Sequence, residues 1–263
     1  MTAASTPRIA SLVPSLTELV VELGLGDHLI ARTGFCVHPA GRVAAVPKVG
    51  GTKDVNLAKL QRLAPTHVLV NVDENRLETV EAIRAWSPAR VPEIIVTHPG
   101  GPADNAALVD QVARPFAALG GVEARAEELK LALARGLELT QPSSYPSLCV
   151  LYLIWREPWM TVARDTYISQ MLARIGWQTL PEALGGASGA ARYPVVDVAS
   201  AWLADVDEVL LSSEPYLFRS HHVADAQALC PAARVRLVDG ELISWYGPRA
   251  VAGLRYLREF VAR

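Results

Sequence analysis

The sequence predicts two α/β lobes with mostly parallel sheets, bridged by one long helix. Three observations carry this. Residues 121–140 place Val122, Ala126, Leu129, Leu133 and Leu137 at steps of three and four, the period of a single helical face. Apolar strand-like runs alternate with helix-like segments on both sides of that stretch, the pattern of parallel α/β sheets. Residues 147–154, SLCVLYLI, form a continuous apolar run of the kind buried on both faces in such sheets. The expected division is an N-terminal lobe over 8–119, a bridging helix over 120–141 and a C-terminal lobe over 142–263. A helix of about twenty residues spans roughly 30 Å and acts as a strut, with a ligand cleft expected between the lobes.

The elements follow in order. A strand is expected over 9–13, broken by Pro14-Ser15, with Ser15 as cap of a helix and Glu18 at capping-box spacing. A strand over 29–33 comes next, then a helix over 56–63 capped by Asn56 or Asp54. Strands over 67–71 and 93–97 flank a helix over 75–85. A helix over 105–119 is expected to kink at Pro115, whose ring removes a backbone donor. After the strut come the strand 147–154, a helix over 166–175, strands over 209–212 and 235–238, a turn at Asp239-Gly240 and an amphipathic helix over 249–261. Residues 185–191, GGASGAA, read as a flexible loop.

The chain has 263 residues, is 51% hydrophobic and 20% charged, and carries a net charge of −2. That composition supports a packed core and gives no electrostatic footprint for nucleic acid. No apolar run approaches the roughly 20 residues that span a bilayer. The polar start MTAASTP lacks the pattern of a secretory leader, so the chain as written reads as cytoplasmic, or periplasmic if a leader has been trimmed. Three widely spaced cysteines, Cys36, Cys149 and Cys230, predict no structural disulfide.

No G-x-G-x-x-G, P-loop, G-x-S-x-G or H-E-x-x-H pattern is present, and the chain reads as non-catalytic with no fixed cofactor. The informative residues sit in loops of the second lobe. Trp155, Arg156 and Trp159 follow one strand, and Tyr216 follows another. Trp245, Tyr246 and Arg249 precede the last helix, and Arg164 lies ahead of the helix at 166. Trp and Tyr supply large rigid contact area, and Arg clamps carboxylate or phosphate. Together they predict a wall for a large ligand with apolar and anionic parts. The competing role for each is packing between loops. Cys36 and His38, two residues apart after a strand, are candidate metal ligands, although two ligands do not complete a site. His221-His222 reads as solvated, with a cap of the helix near Val223 or a ligand-metal contact as alternatives. Glu74 and Glu214 each lie just after a strand, one per lobe. They serve either as charge near a helix N-terminus or as docking points for a partner's arginines.

The order of motifs resembles a known family. Arg8 to Glu18 (RIASLVPSLTE) with Gly24-Leu25-Gly26-Asp27, then Pro47-Lys48-Val49-Gly50-Gly51, then Ala64-Pro65-Thr66-His67-Val68-Leu69-Val70 resemble the cobalamin and ferric-siderophore binding proteins of ABC importers. Asp165-Thr166-Tyr167-Ile168 and Ser212-Ser213-Glu214-Pro215-Tyr216 resemble second-lobe motifs of the same family. The resemblance implies two lobes on a helical backbone, small rocking of the lobes, a ligand in the cleft and one glutamate per lobe docking to permease arginines. Glu74 and Glu214 are the matching positions. It implies aromatic contacts for a corrin and arginines for an anionic siderophore. Trp155, Trp159, Tyr216, Trp245 and Tyr246 outnumber the nearby arginines and point to a cobalamin-like corrinoid. Such a chain works as a monomer. The alternatives are a chelatase-like enzyme handling a metal or tetrapyrrole, and direct binding of a metal ion by Cys36, His38 and a second-lobe histidine.

Overall fold

The computed structural model describes residues 6–89 and 91–262. Residues 1–5, on which the leader reading partly rests, lie outside the described residues. The chain divides into two compact units. The first takes the chain through Pro99 with Asn105–Ala132 and Tyr246–Pro248; the second takes Gly100–Asp104, Leu133–Trp245 and the chain from Arg249 onward.

The first unit holds a parallel four-stranded sheet of β1 (Ile9–Ser11), β2 (Leu29–Arg32), β3 (His67–Asn71) and β4 (Glu93–Thr97), in the order β2-β1-β3-β4. Its helices are α1 (Pro14–Glu22), α2 (Ala40–Val43), α3 (Leu57–Arg62), α4 (Leu77–Arg84) and α5 (Asn105–Ala113). Ala10, Ala31, Val68 and Val70 from the strands, with Leu12 just after β1, pack with Leu60, Val80 and Ile83 from α3 and α4. Helix α6 (Val122–Glu138) contains the point where the units divide. Val122, Ala126, Leu129 and Leu133 are buried along it, as their spacing predicts.

The second unit holds β5 (Leu148–Leu153), β6 (Trp177–Thr179), β7 (Glu208–Ser212) and β8 (Arg234–Val238), all parallel, in the order β6-β5-β7-β8. Helices α7 (Tyr167–Ala173), α8 (Val223–Leu229), α9 (Gly240–Ser244) and α10 (Arg249–Val261) complete it. Val150, Leu151, Tyr152 and Leu153 in β5 are fully buried, as expected of a strand covered on both faces. Gly253 of α10 lies against the carbonyl of Leu242, so a side chain there would force α9 and α10 apart. Among the described residues no helix is long and apolar enough to cross a membrane.

Several expectations change in detail. Helix α1 starts at Pro14 with Val13 as an N-cap that makes no side-chain bond, so Ser15 lies inside the first turn and does not cap it. Pro14 suits that position because its missing N–H would have no helical partner. Helix α4 starts two residues later than expected because Asn75 is engaged elsewhere. Its Oδ1 accepts from Asn71 N–H (2.9 Å), and its Nδ2 donates to the carbonyls of Leu12 (3.2 Å) and Thr52 (3.0 Å). At Pro115 the α-helix gives way to a 3-10 turn over Arg114–Phe116. Strand β6 was not foreseen, since three residues carry too little alternation to register. Asp239 is the cap of α9 rather than part of a turn, its Oδ1 accepting from Leu242 N–H at 3.2 Å. The loop read as flexible is pinned at its start, where the Gly185 and Gly186 amides donate to Asp165 at 2.7 and 2.8 Å.

Candidate functional site

In parallel α/β sheets, ligands gather beyond the carboxyl ends of the strands. In the second unit those ends carry an aromatic cluster. After β5, Ile154 N–H donates to Met160 O (3.0 Å) and Met160 N–H to Trp155 O (3.1 Å), folding residues 155–160 into a tight turn. After β7, Tyr216 N–H donates to Ile154 O (3.3 Å) and Phe218 N–H to Ser212 O (3.2 Å), drawing this second loop onto the first. Trp155 meets Tyr216 edge-on at 5.5 Å, and Trp159 stacks on Phe218 at 6.0 Å with ring planes 7° apart. Tyr216 and Phe218 are 4.7 Å apart. Arg156 lies over Trp159 at 5.9 Å and pairs with Asp225 at 2.7 Å. Trp155 remains 41% exposed, a large aromatic face open to solvent. The predicted Trp155, Arg156, Trp159 and Tyr216 thus come together.

His222 joins them and overturns the solvated reading for that residue, while His221 stays exposed as expected. It is buried against Phe218 (5.5 Å) and Tyr216 (5.5 Å), with its Nε2 3.2 Å from the Tyr216 hydroxyl. Burial lowers its pKa, and His221 and Arg156 push the same way. Phe218 and His222 were not among the predicted site residues.

Trp245 and Arg249 form a separate group in the same unit. Trp245 is buried, and its Nε1 donates to Glu214 Oε1 at 2.8 Å. The Ser244 hydroxyl donates to the same oxygen. Arg249 covers the Trp245 ring at 4.7 Å and pairs with Glu241 at 3.0 Å. Burial raises the Glu214 pKa; the Ser244 and Trp245 bonds pull it down, and the charges of Glu241 and Asp239 add to the rise. Glu214 therefore points into a hydrogen-bonded corner, where Gly240 leaves room for its side chain. Arg164 is committed elsewhere, to Thr179 O (3.0 Å) and Glu182 (2.9 Å).

Tyr246 belongs to the first unit. It is buried, and its hydroxyl donates to Glu74 Oε1 at 2.8 Å. Burial and the neighbouring Glu74 charge raise its pKa well above the ordinary tyrosine value. Both glutamates expected to meet a partner's arginines thus hold an aromatic donor of this chain. Cys36 is buried and contacts the Thr33 hydroxyl at 3.1 Å, and burial raises its thiol pKa. The loop around it is organised by Arg32, whose guanidinium donates to the carbonyls of Thr33, Cys36 and Val43 at 3.2, 3.0 and 2.8 Å. Among the described residues no group of three or more His, Cys, Asp or Glu is placed to hold a metal ion, so Cys36 and His38 gain no third ligand there.

No protein-family model matches the sequence. The chain is similar to YvrC of Bacillus subtilis (strain 168), an uncharacterized ABC transporter substrate-binding lipoprotein. The identity is 25% over 271 residues, covering 97% of this chain and 79% of that protein. Among solved structures it is similar to the periplasmic vitamin B12 binding protein BtuF of Vibrio cholerae, with 17% identity, 97% and 96% of the two chains covered and a TM-score of 0.77. It is equally similar in fold to the periplasmic heme binding protein HutB of Vibrio cholerae, with 19% identity, 98% and 100% covered and a TM-score of 0.77. RhuT, a periplasmic heme-binding protein from Roseiflexus sp. RS-1, gives 20% identity, 98% and 99% covered and a TM-score of 0.75. These likenesses do not favour the chelatase-like alternative. In fold, and in sequence over 97% of its length, the chain resembles the class III, helical-backbone solute-binding proteins of ABC importers.

Proposed function

We propose that this chain binds a metal-chelate ligand (a cobalamin-like corrinoid, a haem or a ferric siderophore) without transforming it, and presents it to an ABC permease. The observation that carries this reading is the cluster of Trp155, Trp159, Tyr216 and Phe218 with Arg156 at the carboxyl ends of β5 and β7. Aromatic faces suit a flat macrocycle, and an arginine beside them suits its carboxylates. The relatives, which include a vitamin B12 binding protein and heme binding proteins, support the ligand class. Their description as periplasmic or lipoprotein supports the exported alternative over the cytoplasmic one. A permease arginine that docks at Glu74 or Glu214 has to take the carboxylate from Tyr246 or Trp245.

The test is an absorbance titration with cyanocobalamin, ferric haem and a ferric hydroxamate siderophore. A saturable spectral change or binding heat with at least one of them is expected. Silence with all of them rejects the ligand class.

A further inference from the structure

The loops that leave β3 and β7 repeat one arrangement. Asn71 closes β3 and accepts from the Glu74 amide, and Ser212 closes β7 and accepts from the Glu214 amide, each at 3.3 Å. Three residues after each glutamate stands a leucine, Leu77 in the first unit and Leu217 in the second. Both are exposed, Leu77 by 65% and Leu217 by 50%. The residues between have nothing in common: Asn75-Arg76 in one loop, Pro215-Tyr216 in the other. A leucine alone on a surface is ordinary. An exposed leucine at the same step from a glutamate, in two otherwise unlike loops, points to a shared use.

Both side chains are presented from a fixed backbone. Leu77 is the first residue of α4. Just before it, buried Asn75 donates to the carbonyls of Leu12 and Thr52 at 3.2 and 3.0 Å, and Arg76 pairs with Asp54 at 3.2 Å. Leu217 is the tip of a three-residue turn, closed by Phe218 N–H donating to Tyr216 O at 3.0 Å. Phe218 is buried and Tyr216 N–H donates to Ile154 O, so the turn is anchored at both ends. An apolar group on a rigid support loses little freedom when a partner covers it. Resting on the permease reading above, we propose that Leu77 and Leu217 are apolar anchors of permease docking, one in each unit. Each enters an apolar pocket of the permease beside the group that takes the neighbouring glutamate. A second copy of this chain, docking through the same face, would instead bring glutamate toward glutamate.

The test is photo-crosslinking of the full chain with membranes of its source cells. p-Benzoylphenylalanine replaces Leu77, Leu217 or, as control, Leu131, a residue of α6 that is 59% exposed. Mass spectrometry is expected to find the membrane subunit of an ABC importer crosslinked from positions 77 and 217 and not from 131. Leu77→Ser and Leu217→Ser should each weaken retention of the chain on those membranes by about tenfold, whereas Leu77→Met should preserve it. Leu77→Ser should also leave chelate affinity at the wild-type value. A lysine-reactive crosslinker, which does not depend on the leucines, reports the permease reading separately. Importer subunit captured through lysine but not from both leucines, or equally from position 131, overturns the inference and leaves that reading standing. Crosslinks from the leucines to a second copy of this chain also overturn the inference. No importer subunit by either route overturns both.

Discussion

The two units run their strands along the same path, second-first-third-fourth, and then finish that path with different chemistry. In each, the last residue of the third strand accepts from the amide of a following glutamate at 3.3 Å: Asn71 from Glu74, and Ser212 from Glu214. Each glutamate in turn accepts from an aromatic side chain, and the two donors, Tyr246 and Trp245, are consecutive residues. Beyond that point the units diverge. After Glu74 comes Asn75, a buried polar residue that ties its loop to Leu12 and Thr52 and leads into α4. After Glu214 come Pro215, Tyr216, Leu217 and Phe218, which build an aromatic cluster with Trp155 and Trp159. One framework thus supports a polar lock in the first unit and an aromatic cluster, the proposed ligand face, in the second. A residue's role follows from the partner its polar tip reaches, not from its type or its place after a strand.

The largest expected effect tests the shared framework. Leu69 in β3 and Leu210 in β7 occupy the same place in their strands, and both are fully buried. Leu69→Ala and Leu210→Ala should each cost about 2–5 kcal/mol in urea unfolding. A cost near zero at one of them would break the equivalence of the two sheets. Next in size is the polar lock. Asn75→Ala removes bonds to buried backbone groups and should cost about 1–3 kcal/mol, with ligand affinity unaltered. An equal loss of affinity would move the site toward the first unit. Trp155→Ala should do the reverse, weakening ligand binding by about tenfold, or about 1.4 kcal/mol, with little change in unfolding midpoint.

The smallest effect concerns the glutamate corner. Burial raises the Glu214 pKa, so the folded chain holds that proton to higher pH than the unfolded chain does. Its contribution favours folding below the ordinary carboxylate range and is lost as pH rises through the raised value. Glutamine does not titrate yet still accepts from Trp245. The melting temperature of wild type relative to Glu214→Gln should therefore fall as pH rises above the ordinary carboxylate range. A constant difference would show that the corner does not carry this load.

Much of this was readable in the sequence, and the rest was hidden for physical reasons. Long periodic or uniformly apolar runs announce their elements, as with β3, β4 and α6, because burial imposes the period. The Ser15 cap failed because Pro14 itself starts the helix, with Val13 as an N-cap that makes no side-chain bond. Trp155, Arg156, Trp159 and Tyr216 stood out as bulky groups after strands. Trp245 and Tyr246 stood out for the same reason, yet their polar tips are spent on Glu214 and Glu74. His222 gave no signal of its own, since only the fold around β7 and α8 buries a histidine that sequence alone places in a polar pair.

The most direct test of the comparison is a parallel measurement of dissociation constants for ferric haem and cyanocobalamin by absorbance. It uses wild type, the double variant Trp155→Ala/Trp159→Ala, and Asn75→Ala. The expected result is a loss of at least about tenfold in the double variant for whichever chelate binds, and wild-type affinity in Asn75→Ala. Unchanged affinity in the double variant would contradict the assignment of the ligand-gripping face to the second unit.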